Sequence, residues 1–369
     1  MVWQSKNVFF ICAGFFLAVA AWAADPKRVA DADYDWVDVS KLEIGGRGYV
    51  SSGEPFVRFP KKQREMAPEK IRRMSRESTG LNFKFKTTSK KLVFRYTVEK
   101  RSWTDPLIPP SGLQSVSVWE RRKGEKEWEF VRKNHPKQDG DNEYVLAWTP
   151  DSTGWLYLPM RGVVRKFSIG IERGKKFETV PYENPGKVVI YGTSIVHGGC
   201  VSSAGMMFTS FMGRRLDRDV VALGFSGGGR MEIEVADLLS EIDATVYILD
   251  CDWNMSEEMM KERYEPFIRR LRQLRPSTPI LLCGGCTEKK TPLKQEVFGR
   301  SVYDRLKAEE PKLWKKLHFL SGVDALPKCS WATHDHCHPN DFGAPFMGEV
   351  YARRVAGIIA SDAHAGSGK

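Results

Sequence analysis

The feature that most constrains this fold is a regular alternation of strand and helix patterns that begins at Lys187. Short apolar runs, of which residues 188–191 are the clearest, are separated by longer segments with helical periodicity. Runs without polar alternation suit a parallel sheet that is covered on both faces. The pattern therefore predicts an α/β domain over residues 187–361. Its predicted strands are 188–191, 220–225, 245–249, 280–282 and 318–320, and its predicted helices are 205–217, 231–242, 256–275, 296–316 and 342–361.

Residues 34–176 have a different pattern, in which apolar and polar residues alternate with a period of two. Residues 81–86 and 92–98 are typical, and turn-forming residues separate such runs at short spacing. Only residues 68–75 indicate a helix. We therefore predict an all-β sandwich for this part of the chain, followed by a proline-containing linker at residues 177–186.

The first residues carry the pattern of a secretory signal peptide. An apolar run over residues 8–22 follows a single lysine, and small residues precede Ala24. The run is shorter than the roughly 20 residues that a spanning helix needs. We predict a signal peptide at residues 1–23, export to the periplasm or the cell exterior, and no stable membrane insertion after cleavage.

The chain has a formal net charge of +11, with a local excess of basic residues at 61–76. Such an excess of positive charge can indicate nucleic acid, an anionic membrane surface or an acidic glycan as a partner. Because the sequence has no recognisable nucleic-acid motif, we predict no nucleic-acid partner. A solvated basic surface is the preferred interpretation, and an acidic glycan is the functional alternative.

Two features of the cysteines could carry chemistry. Cys283 and Cys286 are separated by two glycines, as in redox and zinc motifs, but no second pair accompanies them. We predict structural or unpaired thiols there, and no metal. Cys329 and Cys337 flank a loop near the C-terminus, and export would permit them to form a disulfide.

Polar residues with complementary chemistry follow the predicted strands in order. Ser194 follows the first strand, a glycine-rich turn that contains Gly227 follows the second, and Asn254 follows the third. Asp335 and His338 precede the last helix. Together they could supply a nucleophile, amide donors for an oxyanion, and a base with its orienting acid.

Several neighbours are alternatives for these roles. A metal could be held by a cluster of imidazoles and a thiolate in the loop that contains Asp335. His197 could be a substrate-side or structural histidine, Asp250 and Asp252 are alternative acids, and Arg230 could contact substrate. The loop cluster consists of His334, Asp335, His336, Cys337 and His338.

These motifs resemble the SGNH hydrolases of the GDSL lipase/esterase superfamily. The resemblance places the nucleophile at Ser194, the oxyanion donors at Ser194, Gly227 and Asn254, and the remaining triad residues at Asp335 and His338. It implies a flavodoxin-like α/β/α domain that needs neither a cofactor nor a metal. Preceded by a jelly-roll-like sandwich, the chain is similar to secreted bacterial members with an N-terminal domain called GxDLY.

The sequence departs from the family pattern at three places. Thr193 stands where the first motif usually has aspartate, and residues 251–254 differ from the usual Gly-x-Asn-Asp. Residues 112–116 stand where the signature of the N-terminal domain would lie.

The resemblance implies a serine esterase that removes small acyl groups, most simply acetyl, from a glycan or small-molecule ester. An acyltransferase with the same triad, or a glycan-binding protein that retains the fold, is the alternative. Aromatic faces are common platforms for sugars, although core packing explains most buried rings. The candidate rings in the sandwich are Trp103, Trp119, Trp128, Trp148 and Trp155. The oligomeric state is not indicated.

Overall fold

Two antiparallel sheets pack face to face in the N-terminal part of the chain. The computed structural model describes residues 29–50, 53–99, 108, 110–134, 136 and 140–367. One sheet has the strand order β1-β8-β3-β6, and the other has the order β5-β4-β7-β2-β9. The strands are β1 (Tyr34–Asp38), β2 (Asn82–Thr87), β3 (Lys91–Val98), β4 (Ser117–Arg121), β5 (Glu129–Lys133), β6 (Gly140–Ala147), β7 (Thr153–Tyr157), β8 (Val164–Glu172) and β9 (Phe177–Val180).

The core of the sandwich consists of the side chains that alternate inward from both sheets. Phe83, Leu92, Phe94 and Leu156 are buried in it. The helices in this part are α1 (Lys61–Met66), α2 (Glu69–Met74) and α3 (Pro110–Gln114), and short 3-10 turns cover Asp31–Asp33 and Val39–Lys41. The predicted signal peptide and Trp103 lie outside the described residues.

The predicted linker at residues 177–186 is shorter in the structure than the sequence indicates. Its first four residues form β9, which pairs with β2. Phe177 stacks on Phe85 with ring centroids 5.6 Å apart, so this contact holds the segment on the sheet. The proline pattern could not reveal a pairing with a strand so distant in the chain.

A five-stranded parallel sheet forms the centre of the C-terminal part. Its strand order is β11-β10-β12-β13-β14, which is the flavodoxin-like arrangement. This confirms the predicted fold class. The strands are β10 (Lys187–Gly192), β11 (Asp219–Gly224), β12 (Ala244–Asp250), β13 (Ile280–Cys283) and β14 (Leu317–Leu320).

Helices cover both faces of this sheet, which explains why its strands are apolar throughout. The helix Glu257–Leu274 is capped by Ser256, whose side chain accepts a hydrogen bond from the Met259 amide. The helices are α4 (Phe208–Leu216), α5 (Ile233–Ser240), α6 (Glu257–Leu274), α7 (Lys294–Glu309), α8 (Gly322–Ala325) and α9 (Gly343–Ser367), with 3-10 turns at Ala204–Met206, Asp252–Asn254 and Ser330–Ala332.

The outer face of the β4–β7 sheet packs on the α/β domain. Trp119 and Trp155 are buried there in one hydrophobic cluster with Phe208 of α4, and the Arg214 guanidinium lies 3.6 Å from the Trp119 ring centroid. Trp148 is buried within the sandwich. These tryptophans are therefore packing residues and do not offer an exposed platform for sugars.

Among the helices in the described part of the chain, none combines the length and apolar character needed to cross a membrane.

Candidate active site

Ser194 lies at the carboxyl edge of the parallel sheet, just after β10. The strand ends at Gly192, where a Cβ atom would lie 2.3 Å from the carbonyl oxygen of Asp250 on the neighbouring strand. Glycine is therefore required for the close approach of the two backbones. The Gly199 amide donates to the Ser194 carbonyl at 2.7 Å, which holds the turn after the strand and leaves the half-buried hydroxyl at the sheet edge.

A chain of three side chains connects Ser194 to the C-terminal loop. The Ser194 Oγ lies 2.7 Å from Nε2 of His338. Nδ1 of the same imidazole lies 2.7 Å from Oδ2 of Asp335. The arrangement suits proton transfer from the hydroxyl to the imidazole, with the carboxylate holding the proton on Nδ1.

Asp335 is held in the ionised form by donors from its own loop. Its Oδ1 accepts hydrogen bonds from the amides of His338, at 2.8 Å, and Cys337, at 3.2 Å. Partial burial opposes ionisation, but these amides and the His338 imidazole together lower the pKa of Asp335. The carboxylate can therefore orient His338 and stabilise a positive charge on it.

The loop that carries Asp335 and His338 has a defined shape. Thr333 pairs with Pro339 across its base, and the His334 amide donates to the His338 carbonyl at 2.9 Å. At the tip, His336 has a left-handed φ of 64° and places Nδ1 2.8 Å from Glu288. The sequence predicts that His338 meets Ser194, but it does not indicate these contacts, which shape the loop that carries His338.

The other predicted oxyanion residues lie in two neighbouring loops. Gly227 has a left-handed φ of 66°, and the Gly228 amide donates to the Phe225 carbonyl at 2.9 Å. We call residues 225–229 the oxyanion loop. Asn254 follows β12, and its Nδ2 donates to the Gly228 carbonyl at 2.5 Å. One Nδ2 hydrogen thus ties Asn254 to the loop, and the second is available to a developing oxyanion.

Replacement of Asn254 by alanine should lower kcat for ester hydrolysis on the order of 10²- to 10³-fold if its side-chain amide is an oxyanion donor, as predicted. KM should change little, since the donor acts mainly on the transition state. Steady-state kinetics with 4-nitrophenyl acetate measures both quantities. A kcat within threefold of the wild-type value would contradict a donor role for this amide.

The hydrogen bonds described for the alternative acids do not reach His338. Asp250 is buried and accepts a hydrogen bond from the Tyr351 hydroxyl at 2.8 Å, and burial raises its pKa to about 7. Burial also raises the pKa of Asp252 well above its usual range, and the charges of Asp250 and Glu296 add to the effect. Neither carboxyl group has a hydrogen bond to His338 among those described, so Asp335 is the acid that fits the geometry.

Two basic residues lie near the site, of which the sequence analysis named only Arg230 individually. Lys70 of α2 is exposed, and a Cβ atom on Gly227 would lie 2.6 Å from its Nζ. The basic pattern at 61–76 therefore includes a residue beside the oxyanion loop. Arg230, the other candidate, follows the loop, and its amide donates to Glu232 at 2.7 Å.

The cysteine predictions have different outcomes. Cys329 and Cys337 are free thiols in the structure, so the expected disulfide is absent. Cys337 packs against the core between the sheet and α9, and this packing directs its side chain into the protein. Cys283 and Cys286 are also free, and burial raises the pKa of both thiols well above their usual range. That environment disfavours the thiolates that redox chemistry requires.

Asp335, Cys337 and His338 each offer a ligand atom, and these atoms lie within 4.8 Å of one another. Both nitrogens of His338 already contact Asp335 and Ser194. A metal bound here would therefore have to displace contacts of the triad.

Comparisons with known families agree with this arrangement. The model of the GDSL-like lipase/acylhydrolase family matches residues 186–356. The GxDLY model, which describes the N-terminus of SGNH-hydrolase-type esterases, matches residues 34–177. A search of curated proteins finds no match.

Several solved structures match most of this chain. A GDSL-like protein of Bacteroides ovatus is 26% identical, with a TM-score of 0.79 over 89% of this chain and 98% of that chain. A salicylyl-acyltransferase from a tetracycline biosynthetic pathway is 18% identical, with a TM-score of 0.69 over 89% and 98% of the two chains. A family two carbohydrate esterase from Cellvibrio japonicus is 12% identical, with a TM-score of 0.53 over 76% and 90%.

The last two similarities are evidence for the fold alone. The two family models account for both domains, and the resemblance seen in the sequence motifs is confirmed. Residues 186–356 form a hydrolase domain of the GDSL-type SGNH family, a family of esterases, and a GxDLY domain precedes it.

Proposed function

We propose that this protein is an exported serine esterase that removes small acyl groups, most simply O-acetyl groups, from carbohydrates. The observation that carries the proposal is the hydrogen-bonded chain from Ser194 through His338 to Asp335. The Asn254 side chain, bound to the Gly228 carbonyl of the oxyanion loop, supports it. The predicted signal peptide supports export.

In the proposed reaction, Ser194 Oγ attacks the carbonyl carbon of the ester while Nε2 of His338 takes the hydroxyl proton. The amides of Ser194 and Gly227 and the side chain of Asn254 stabilise the oxyanion. The imidazolium then protonates the leaving alcohol, and the acyl group remains on Ser194. Water, activated by His338, attacks the acyl-enzyme and releases the acid and the free hydroxyl of Ser194.

Close packing around the nucleophile supports a small acyl group. A Cβ atom on Gly198 would lie 2.0 Å from Sδ of Met160, and one on Gly199 would lie 3.2 Å from the Pro339 carbonyl oxygen. A Cβ atom on Gly229 would lie 2.1 Å from the Gly192 carbonyl oxygen. The backbone beside Ser194 is therefore already in contact with its neighbours and leaves little space there for a long acyl chain.

An exposed aromatic pair supports a carbohydrate as the alcohol part of the substrate. Trp331 is 62% exposed and Phe342 is 47% exposed, and their ring centroids lie 4.2 Å apart. The pair flanks the loop that carries Asp335 and His338. Apolar rings rarely remain exposed together without a partner, and aromatic faces suit the apolar faces of sugars. The fold shared with family two carbohydrate esterases is consistent with this substrate class.

A series of 4-nitrophenyl esters with acyl chains of two to twelve carbons tests the size of the acyl group. We expect kcat/KM for the acetyl ester to exceed that for chains of eight carbons or more by at least about tenfold, because each poorly placed methylene costs binding energy. A kcat/KM that rises with chain length would instead indicate a lipase. Ser194→Ala protein, assayed in parallel, corrects for hydrolysis that does not need the triad.

Release of acetate from acetylated glycans tests whether the alcohol part of the ester substrate is a carbohydrate. Adding unacetylated sugar acceptors to the same assay tests the alternative activity, an acyltransferase, which the fold shared with the salicylyl-acyltransferase can also accommodate. A transferase would give acylated acceptor in place of free acid. Binding of glycans without turnover of any ester would leave only the glycan-binding alternative.

A further inference from the structure

The N-terminal domain reaches beneath the oxyanion loop through Arg58. This side chain is only 1% exposed. Its Nη1 donates to the carbonyl of Gly224, the last residue of β11, at 2.5 Å. Nη2 donates to the Met74 carbonyl at 2.7 Å, and Nε donates to the Glu77 carbonyl at 3.2 Å. Arg58 thus connects the segment after α2 to the point where the oxyanion loop begins.

His197 extends this connection into the hydrolase domain. It lies three residues after Ser194, and its amide donates to the Thr193 carbonyl at 3.0 Å. The imidazole is completely buried, with Nε2 2.7 Å from Oε2 of Glu77. Glu77 belongs to the N-terminal domain, so a contact between the two domains holds a ring that is adjacent in sequence to the nucleophile.

The other nitrogen of His197 faces the oxyanion loop. The Ser226 amide donates to Nδ1 at 3.2 Å, and the Ser226 hydroxyl lies 3.0 Å from the same atom. An amide can donate only to an unprotonated nitrogen, so the ring proton is on Nε2, which lies 2.7 Å from Oε2 of Glu77. Nη2 of Arg58 also lies 3.4 Å from Nε2, but its 2.7 Å bond to the Met74 carbonyl is the shorter one. Burial lowers the pKa of His197 to about 3, although the charge of Glu77 opposes the effect. The imidazole therefore stays neutral near pH 7 and keeps Nδ1 as an acceptor.

The bond from Ser226 bears directly on the proposed oxyanion donors. Ser226 immediately precedes Gly227, whose amide is one of these donors. Gly227 adopts a left-handed conformation, and a loop of this kind has few contacts of its own to fix its peptide planes. The Ser226 amide on Nδ1 and the Gly228 amide on the Phe225 carbonyl hold the loop on both sides of Gly227.

We propose that Glu77 and His197 are positioning residues that hold the oxyanion loop, so that the N-terminal domain completes the active site of the hydrolase domain. Glu77 fixes the tautomer of His197, and His197 fixes the Ser226–Gly227 peptide. The inference rests on the proposed role of Gly227 in catalysis. Neither residue touches the substrate in this scheme, so their replacement should change kcat and leave KM almost unaffected.

Two amide replacements of His197 separate positioning from general stability. Asn places its amide near the position of Nδ1 and can accept from Ser226, whereas Gln places its amide near Nε2 and can contact only Glu77. We expect His197→Gln to lower kcat for 4-nitrophenyl acetate on the order of tenfold, and His197→Asn to lower it less than about threefold, since small displacements of a donor are costly. KM should stay within about twofold of the wild-type value in both variants.

The stability of these variants should follow the opposite order. His197→Asn leaves the buried Glu77 carboxylate without its imidazole partner, so its Tm should be lower than that of His197→Gln. If kcat instead decreased in step with Tm across the variants, or if His197→Gln kept the wild-type kcat, the positioning role would be wrong.

Replacements of Glu77 test the other half of the contact. Glu77→Ala removes the acceptor that fixes the His197 tautomer, so we expect kcat to decrease on the order of tenfold, as for His197→Gln. Glu77→Gln retains an oxygen acceptor and should restore most of this loss. Equal kcat values for Glu77→Ala and Glu77→Gln would contradict the proposal.

A buried ion pair elsewhere between the domains offers a matched control. Nζ of Lys84 in β2 lies 2.6 Å from Asp217, which follows α4, and the two side chains are 1% and 7% exposed. Lys84→Met should lower Tm, because it leaves the Asp217 charge without this partner, and should leave kcat unchanged. A similar loss of kcat in Lys84→Met would mean that any weakening of the domain contact impairs catalysis, which would overturn the specific role of His197. If wild-type protein failed to hydrolyse any ester, the proposed function would fail first, and this inference with it.

Discussion

Replacement of Ser194 by alanine should lower kcat for 4-nitrophenyl acetate by at least about 10⁴-fold, because the proposed acyl-enzyme forms on the Ser194 hydroxyl. The hydroxyl is 2.7 Å from Nε2 of His338, so the two groups act as one unit. His338→Ala should therefore cause a loss of similar size. The double variant should be no slower than either single variant, since the second change removes a group that has already lost its function.

A loss of kcat in Ser194→Ala identifies the nucleophile only if the variant folds as the wild-type protein does. Ser194 is at the end of β10 in a loop position, and alanine fills nearly the same space. We expect the far-UV circular dichroism spectrum and Tm of Ser194→Ala to match those of the wild-type protein. A variant that folds normally and retains more than a tenth of the wild-type kcat would exclude Ser194 as the nucleophile.

The parallel sheet was predictable because the residues of its strands are apolar throughout, which indicates burial on both faces. Residues 188–191 are uniformly apolar, and all four are buried in the structure. The turn after β10 was predictable for the same reason, since Gly192 and the polar residues that follow it break the pattern at the sheet edge. Side chains that follow parallel strands must meet at one edge, so the order of the motifs predicts Ser194 and Asn254 at the same edge of the sheet.

Contacts between the domains could not be predicted in this way. Glu77 and His197 are far apart in the chain, and neither stands in a pattern that distinguishes a buried pair from two surface residues. Trp119 and Trp155 show the same difficulty. A period of two places their side chains on one face of a strand, but only the structure shows that this face is covered by α4.

The second large expected effect is the loss of kcat in the variant Asp335→Asn, which should change the tautomer of His338. In the wild-type loop, Oδ1 of Asp335 accepts from the amides of His338 and Cys337, and Oδ2 faces Nδ1 of His338. The asparagine side chain has only one oxygen. Because two backbone amides require an acceptor at the Oδ1 position, the oxygen of the new side chain should occupy that position.

The side-chain nitrogen introduced by Asp335→Asn must then face Nδ1 of His338 and donate to it. This arrangement leaves the imidazole proton on Nε2, which points at Ser194 and can no longer accept the hydroxyl proton. We expect kcat of the variant to decrease on the order of 10³- to 10⁴-fold, with KM nearly unchanged, because the geometry of the site is retained and only the proton is misplaced. Steady-state kinetics with 4-nitrophenyl acetate separates the two parameters.

Asp250→Asn is the matched control, since it makes the same chemical change in a neighbouring buried carboxyl group. The amide oxygen of the replacement can still accept the hydrogen bond of the Tyr351 hydroxyl, so kcat should remain within about threefold of the wild-type value, as for changes that leave the catalytic groups in place. A large loss of kcat in Asp250→Asn together with a small loss in Asp335→Asn would reverse the assignment and make Asp250 the acid of the triad. The expected order, with Asp335→Asn far slower, would establish that the C-terminal loop supplies both the base and the group that sets its tautomer.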